Sequence, residues 1–135
     1  KCEYFEKDAD GNVTEVHCVY IPESRSGNDN SEIHVKGTIH WVSAAHAKTA
    51  EVRLYDRLFR VDDPSNENGD FKEYLNPDSL QIIPQAYIEP DLANAKPGTG
   101  VQFMRKGYFT PDKHSTPEHL IFNRTVTLKD GWVKK

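Results

Sequence analysis

Apolar residues in this chain come only in short runs, and Pro or Gly punctuates the spaces between them. Eight Pro and eight Gly are spread along 135 residues, a pattern that suits short strands joined by many turns. Cys2 to Lys7 and Val13 to Tyr20 alternate apolar and polar residues around Asp10-Gly11. That dipeptide is a strong hairpin signal, so a β-hairpin is expected. Ile21 to Ser31, rich in Pro, Ser, Gly and Asn, reads as a long mobile loop. Ile33, Val35, Ile39 and Trp41 alternate across Gly37, which predicts a strand with a bulge.

Ala44 to Thr49 reads as a turn or short helix. Val52 to Val61 fits both a strand and a helix stripe, and the strand is favoured because the segment is short and strand signals surround it. A strand there puts Arg53, Tyr55 and Arg57 on one face. The segment PSNENG (64–69) is a loop, and Phe71 to Leu75 a helical turn stopping before Pro77. Leu80 to Ile88 reads as a strand interrupted at Pro84, hence near a sheet edge. Pro90 to Ala95 is a short helix with Pro at its start. Val101 to Phe109 and Leu120 to Leu128 are the last two strands. The sum is an all-β chain with many short strands, for which a barrel is the expected architecture.

Only 36% of the residues are hydrophobic, and mean hydropathy is −0.74. A core of one or two small domains is therefore thin, as in barrels with one shell of inward side chains. No apolar run reaches the length of a membrane span, and no basic start followed by an apolar stretch marks a signal peptide. The expectation is a soluble cytoplasmic protein with no membrane partner. In that compartment Cys2 and Cys18, which flank the hairpin and face each other in some registers, are expected as reduced thiols rather than a disulfide.

Net charge is −4, which by itself argues against nucleic acid. The average conceals blocks. Residues 1–33 carry three basic and eight acidic side chains, and residues 61–95 carry one and eight. Residues 34–60 carry five basic and two acidic, and residues 96–135 eight and three. Should the two basic blocks pack side by side, one face of an acidic body attracts a phosphate backbone.

Enzymatic signatures are missing. Six histidines invite a metal hypothesis, but His34, His40 and His46 lie six apart, and His114 and His119 lie five apart with Pro117 between. Neither spacing suits helix ligands, and the cysteines complete no zinc pattern, so no metal site is expected. Ser43 and Ser115 sit near histidines without a G-x-S-x-G turn, and no phosphate loop or dinucleotide fingerprint occurs, so no catalytic residue is nominated.

Three segments carry a resemblance: KGTIHWVSAAHAKTAEVRLYDRLFRV (Lys36 to Val61), VQFMRKGYF (Val101 to Phe109) and HSTPEHLIFNRTVTLKD (His114 to Asp130). Together they resemble the carboxy-terminal anticodon-binding region of glutaminyl-tRNA synthetases, over about Lys1 to Trp132. The resemblance implies two β-barrels of the type shared with a ribosomal RNA-binding protein family. Residues 1–31 would be part of a barrel proximal to the catalytic body, 32–112 the distal anticodon-binding barrel, and 113–135 strands returning to the first. Residues 2–20 would then pair with strands from the last twenty or so residues. It also implies a tRNA(Gln) anticodon loop and an upstream catalytic domain of the same polypeptide as partners. ATP and magnesium would be used there; the two ATP-binding signatures of class I synthetases are absent from this stretch, which would be non-catalytic and bind no cofactor.

The family pattern in the middle segment is roughly Q-F-E-R-x-G-Y-F. Gln102 matches the glutamine that reads the middle anticodon base, a uracil, whose N3–H and O4 suit a carboxamide. Arg105 matches the arginine near the third base, a guanine, and its fork bonds acceptors in pairs. Met104 departs from the usual Glu, which leaves that position without an assigned contact. Arg53, Arg57 and Lys106 are candidates for the RNA backbone. Three other readings stay open: the same region of an archaeal or eukaryotic-type glutamyl-tRNA synthetase, a stand-alone RNA-binding barrel, and a β-barrel module for sugar or protein.

Overall fold

The structure, a computed structural model, describes residues 1–24, 27–34, 37 and 40–129. The chain forms two compact units, Lys1–Ile39 and His40–Lys135.

The first unit contains the expected hairpin, β1 (Cys2–Lys7) and β2 (Val13–Cys18), paired antiparallel. Its turn is built by Asp8, whose carboxylate accepts from the backbone N–H of Asn12 at 2.8 Å and of Asp10 at 3.0 Å. The Asn12 side chain adds a third bond, and these bonds hold the Asp8 carboxyl below its usual range. Gly11 takes φ +83° within the turn, a conformation that costs a side chain but not glycine. Strand β2 ends at Cys18 rather than Tyr20, and Tyr4, Phe5, Val13 and Val16 remain exposed. His17 stacks on Tyr4 and lies 3.1 Å from Glu15 and 3.5 Å from Glu6.

The strand expected from Ile33 to Trp41 is not formed at Ile33, His34, Gly37, His40 or Trp41, which lie outside any strand; Val35, Lys36, Thr38 and Ile39 fall outside the described residues. Trp41 is 70% exposed. Among the described residues none of these positions pairs with a strand, and alternation alone stabilises little without a partner.

The second unit is a five-stranded sheet of β3 (Lys48–Tyr55), β4 (Leu80–Ile88), β5 (Val101–Phe103), β6 (Gly107–Pro111) and β7 (Leu120–Val126), in the order β4-β3-β7-β6-β5. All neighbours are antiparallel except β3 and β7, which run parallel with Ala50 opposite Leu120 and Arg53 opposite Asn123. Between its flanking regions β3 starts earlier and stops earlier than its apolar pattern suggested. Residues 56–61 leave the sheet as the Asp56 N–H turns to Ser79 O at 2.8 Å and the Asp56 carboxylate takes the Arg57 N–H at 2.7 Å.

Strand β4 lies at an edge, as Pro84 demanded, and the ladder slips between Ala50 and Val52 where Pro84 faces β3 without an N–H to donate. The expected helical turns appear as 3-10 turns at Phe71–Tyr74 and Pro90–Asn94. The all-β expectation holds, in the form of a mixed sheet whose described edges are β4 and β5. Ala50, Val52, Ile88, Phe109, Leu120 and Phe122 form the core, with Phe103 stacked on Phe109 at 4.2 Å between ring centres. Among the described residues no helix is long and apolar enough to cross a membrane.

Candidate nucleic-acid interface

The run Val101 to Phe109, expected as one strand, is two strands joined by a turn at Met104, Arg105 and Lys106. Two backbone features make the turn. Arg105 occupies the left-handed region at φ +64°, and the Lys106 N–H bonds Phe103 O at 2.9 Å. Gly107, the partner of Phe103 in the ladder, sits at φ +142°, and a Cβ there would come within 2.6 Å of Val126 O. Only glycine lets β6 leave the turn this close to β7. Val101 and Phe103 are half-buried against the core, leaving Gln102 between them exposed. Arg105 and Lys106 are exposed at the tip.

Beside this hairpin lies an open cleft of about 400 Å³. Gln102, Met104 and Lys106 border it from the hairpin, Arg124 from β7, Tyr87 from β4, and His40 and Trp41 from the segment ahead of β3. Its floor is apolar, made by Val52, Leu54, Phe103 and Phe109. Tyr87 is 62% exposed at the rim. Arg124 is anchored by one guanidinium nitrogen on Tyr55 O at 3.1 Å. Glu89 also lines the cleft, 3.8 Å from His40, but the exposed rings, two cations and a carboxamide still offer what unstacked nucleobases use: faces to stack on, edges to bond and charge for phosphate. Sequence reading missed Trp41, Tyr87 and Arg124. The signal for Trp41 was present in its aromatic character, but it was assigned to a strand.

The other nominated cations lie elsewhere. Arg53 bonds Glu51 through Nε at 2.6 Å and reaches Asp112 at 3.5 Å. Its charge is thus compensated by two carboxylates, although β3 and β7, from the two basic blocks, are neighbours as expected. Arg57 lies past the end of β3, 3.4 Å from Asp56, so the stripe of Arg53, Tyr55 and Arg57 is not continuous on one strand. Asp112 is the hub of this second cluster: Asn123 Nδ2 donates to it at 2.6 Å and the His114 N–H at 2.9 Å. Those bonds, then the nearby Arg53 charge, hold its carboxyl below the usual range. His114 and His119 pair with Asp112 and Glu51 respectively. The one group of three ligand-type side chains close together among the described residues is Glu6, Glu15 and His17 on the exposed hairpin.

The sheet and the aromatic, cationic cleft beside its β5–β6 hairpin define a small all-β domain. Comparison gives the family: residues 38–112 match the anticodon-binding domain of class I tRNA synthetases (E and Q), and the chain belongs to that family. It is similar to Glutamine--tRNA ligase of Rhodopirellula baltica, 54% identical over 135 residues, which cover 98% of this chain and 22% of that protein. Glutamine--tRNA ligases of Cupriavidus taiwanensis and Serratia proteamaculans are 52% and 50% identical, each covering 99% of this chain and 23% and 24% of their own lengths. The chain thus spans about a quarter of these relatives.

Proposed function

We propose that this chain is the tRNA-anticodon reader of a glutamine–tRNA ligase, with the β5–β6 hairpin and its cleft as the contact surface. The observation that carries the reading is the placement of Gln102 and Lys106 on one cleft with Trp41, Tyr87 and Arg124, all but Arg124 inside the segment that matches the family. In this reading Gln102 bonds the middle anticodon base, a uracil, through its carboxamide. Arg105, at the exposed tip, bonds the third base, a guanine. Lys106 and Arg124 meet phosphate, and the rings stack on splayed bases. Arg53 is occupied by Glu51 and Asp112, which favours a role in holding β3, β6 and β7 together. The partners are then the tRNA(Gln) anticodon loop and a catalytic domain of the same polypeptide, where ATP and magnesium act, in the cytoplasm.

The test titrates anticodon stem-loops against the wild-type chain and the variants Gln102→Ala and Arg105→Ala. Gln102→Ala is expected to lower preference for uracil at the middle base by about 1–3 kcal/mol, the worth of a good base-edge pair. Arg105→Ala is expected to weaken binding and relax choice at the third base. Unchanged base preference in both variants overturns the assignment.

A further inference from the structure

Cys2 and Cys18 face each other across the hairpin as Cα partners on β1 and β2. Just outside them, Lys1 and Val19 exchange both backbone bonds: Lys1 N donates to Val19 O at 2.9 Å, and Val19 N donates to Lys1 O at 2.9 Å. Bonded and non-bonded pairs alternate along an antiparallel ladder, so Cys2 and Cys18 form a non-bonded pair. Such pairs have Cα atoms about 4.5 Å apart and side chains on the same face. A disulfide spans Cα separations of roughly 4.4–6.8 Å. Both thiols are free and exposed. Cys2 Sγ makes a weak bond to Tyr4 O at 3.7 Å, which a rotation about its side chain releases. On the inner side of the pair the ladder slips between Cys2 and Tyr4, an irregularity of the kind that bends a strand locally.

We infer that this pair is an oxidation site, closing to an intrachain disulfide when a low-molecular-weight disulfide such as oxidised glutathione is present. One cysteine, deprotonated to solvent, attacks a sulfur of the oxidant; a mixed disulfide forms and one glutathione thiolate leaves and takes up a proton. The second cysteine then attacks the protein sulfur of that mixed disulfide, and the second glutathione leaves in the same way. Two protein thiols are oxidised and one glutathione disulfide is reduced to two thiols. The product ties the open ends of a two-stranded sheet whose strands are otherwise almost wholly exposed.

The whole chain is incubated with oxidised glutathione, quenched by alkylation and weighed without reduction. The expected result is the loss of two hydrogens and of both alkylatable thiols, with tryptic peptide 2–7 joined to peptide 8–25. Cys2→Ser is expected to stop at a single glutathione adduct on Cys18. A double variant, Cys18→Ser with Val19→Cys, moves the second thiol to the other face at nearly the same distance along the chain, and is expected to give no intrachain link. Two independent adducts on the wild type, or disulfide dimers in place of the link, overturn the proposal. An equally efficient link in the double variant does so as well, because chain proximity would then suffice without the register.

Discussion

Arg105 combines a strained backbone with an exposed, nominated side chain. A residue with a Cβ in the left-handed region costs about 1–2 kcal/mol, while glycine adds back some unfolded-state entropy. Arg105→Gly is therefore expected to leave stability unchanged or raise it by about 1 kcal/mol, while losing third-base discrimination. Urea unfolding beside stem-loop titration checks this; a destabilised variant would mean the arginine side chain holds the turn rather than the RNA. Asp112 gives the opposite kind of residue, one that serves the fold. Its carboxyl is held low in the folded state by Asn123, the His114 N–H and Arg53. A lowered folded pKa means stability that is fully present above the unfolded carboxylate value of about 4, and that is lost as pH falls through the folded value. Asp112→Asn is expected to cost about 1–3 kcal/mol at neutral pH, by weakening charge-assisted bonds. It should also flatten the pH dependence of stability below pH about 4. Urea midpoints measured from neutral pH downward decide it: a variant with the wild-type pH profile would show that Asp112 is not the titrating group.

In the proposed function, the hairpin β5–β6 is the element on which the recognition surface depends. Its tip contains the candidate contacts, and its exit at Gly107 passes Val126 O too closely for a side chain. Gly107→Ala combines a steric conflict with a disfavoured backbone region, and an expected cost is about 1–3 kcal/mol. Because β6 must shift to relieve it, Gln102 and Lys106 move relative to the cleft, and base preference is expected to fall together with stability. Loss of stability with base preference intact in the folded fraction would show that the hairpin's position does not govern recognition. Element β3 shows how context overrides pattern. Residues 48–50, ahead of the segment expected as strand, join the sheet because Lys48, Thr49 and Ala50 find partners on β4. Residues 56–61 leave it because Asp56 redirects the backbone.

At the scale of the molecule, the proposed function has a chain of net charge −4 meet RNA through a few cations on one hairpin and one neighbouring strand. Affinity is then expected to fall with salt but with a shallow slope. Each phosphate contact on a single strand contributes about −0.7 to the slope of log affinity against log salt. Lys106→Ala is expected to reduce the slope by roughly that amount and to leave base preference unchanged. Titrations at several salt concentrations measure it, and an unaltered slope would remove Lys106 from the backbone contacts.

Local pattern was enough for much of this. The Asp10-Gly11 hairpin, the all-β class, the edge position that Pro84 imposes on β4, and the short helical turns all follow from period, turn chemistry and missing donors within a few residues. Gln102, Arg105 and Lys106 stand together in sequence, and one turn keeps them together in space. What remained belongs to the tertiary structure. The parallel pairing of β3 with β7, the lining of one cleft by Trp41 and Arg124, and the approach of Asp112 to Arg53 all join distant residues. Arg53 and Asp112 are 59 residues apart; no periodicity in either segment encodes the other's charge. Alternation says that a residue is fit for a strand, but only the sheet supplies its neighbours, and it is those neighbours that decide whether a cation is compensated or left to meet a phosphate.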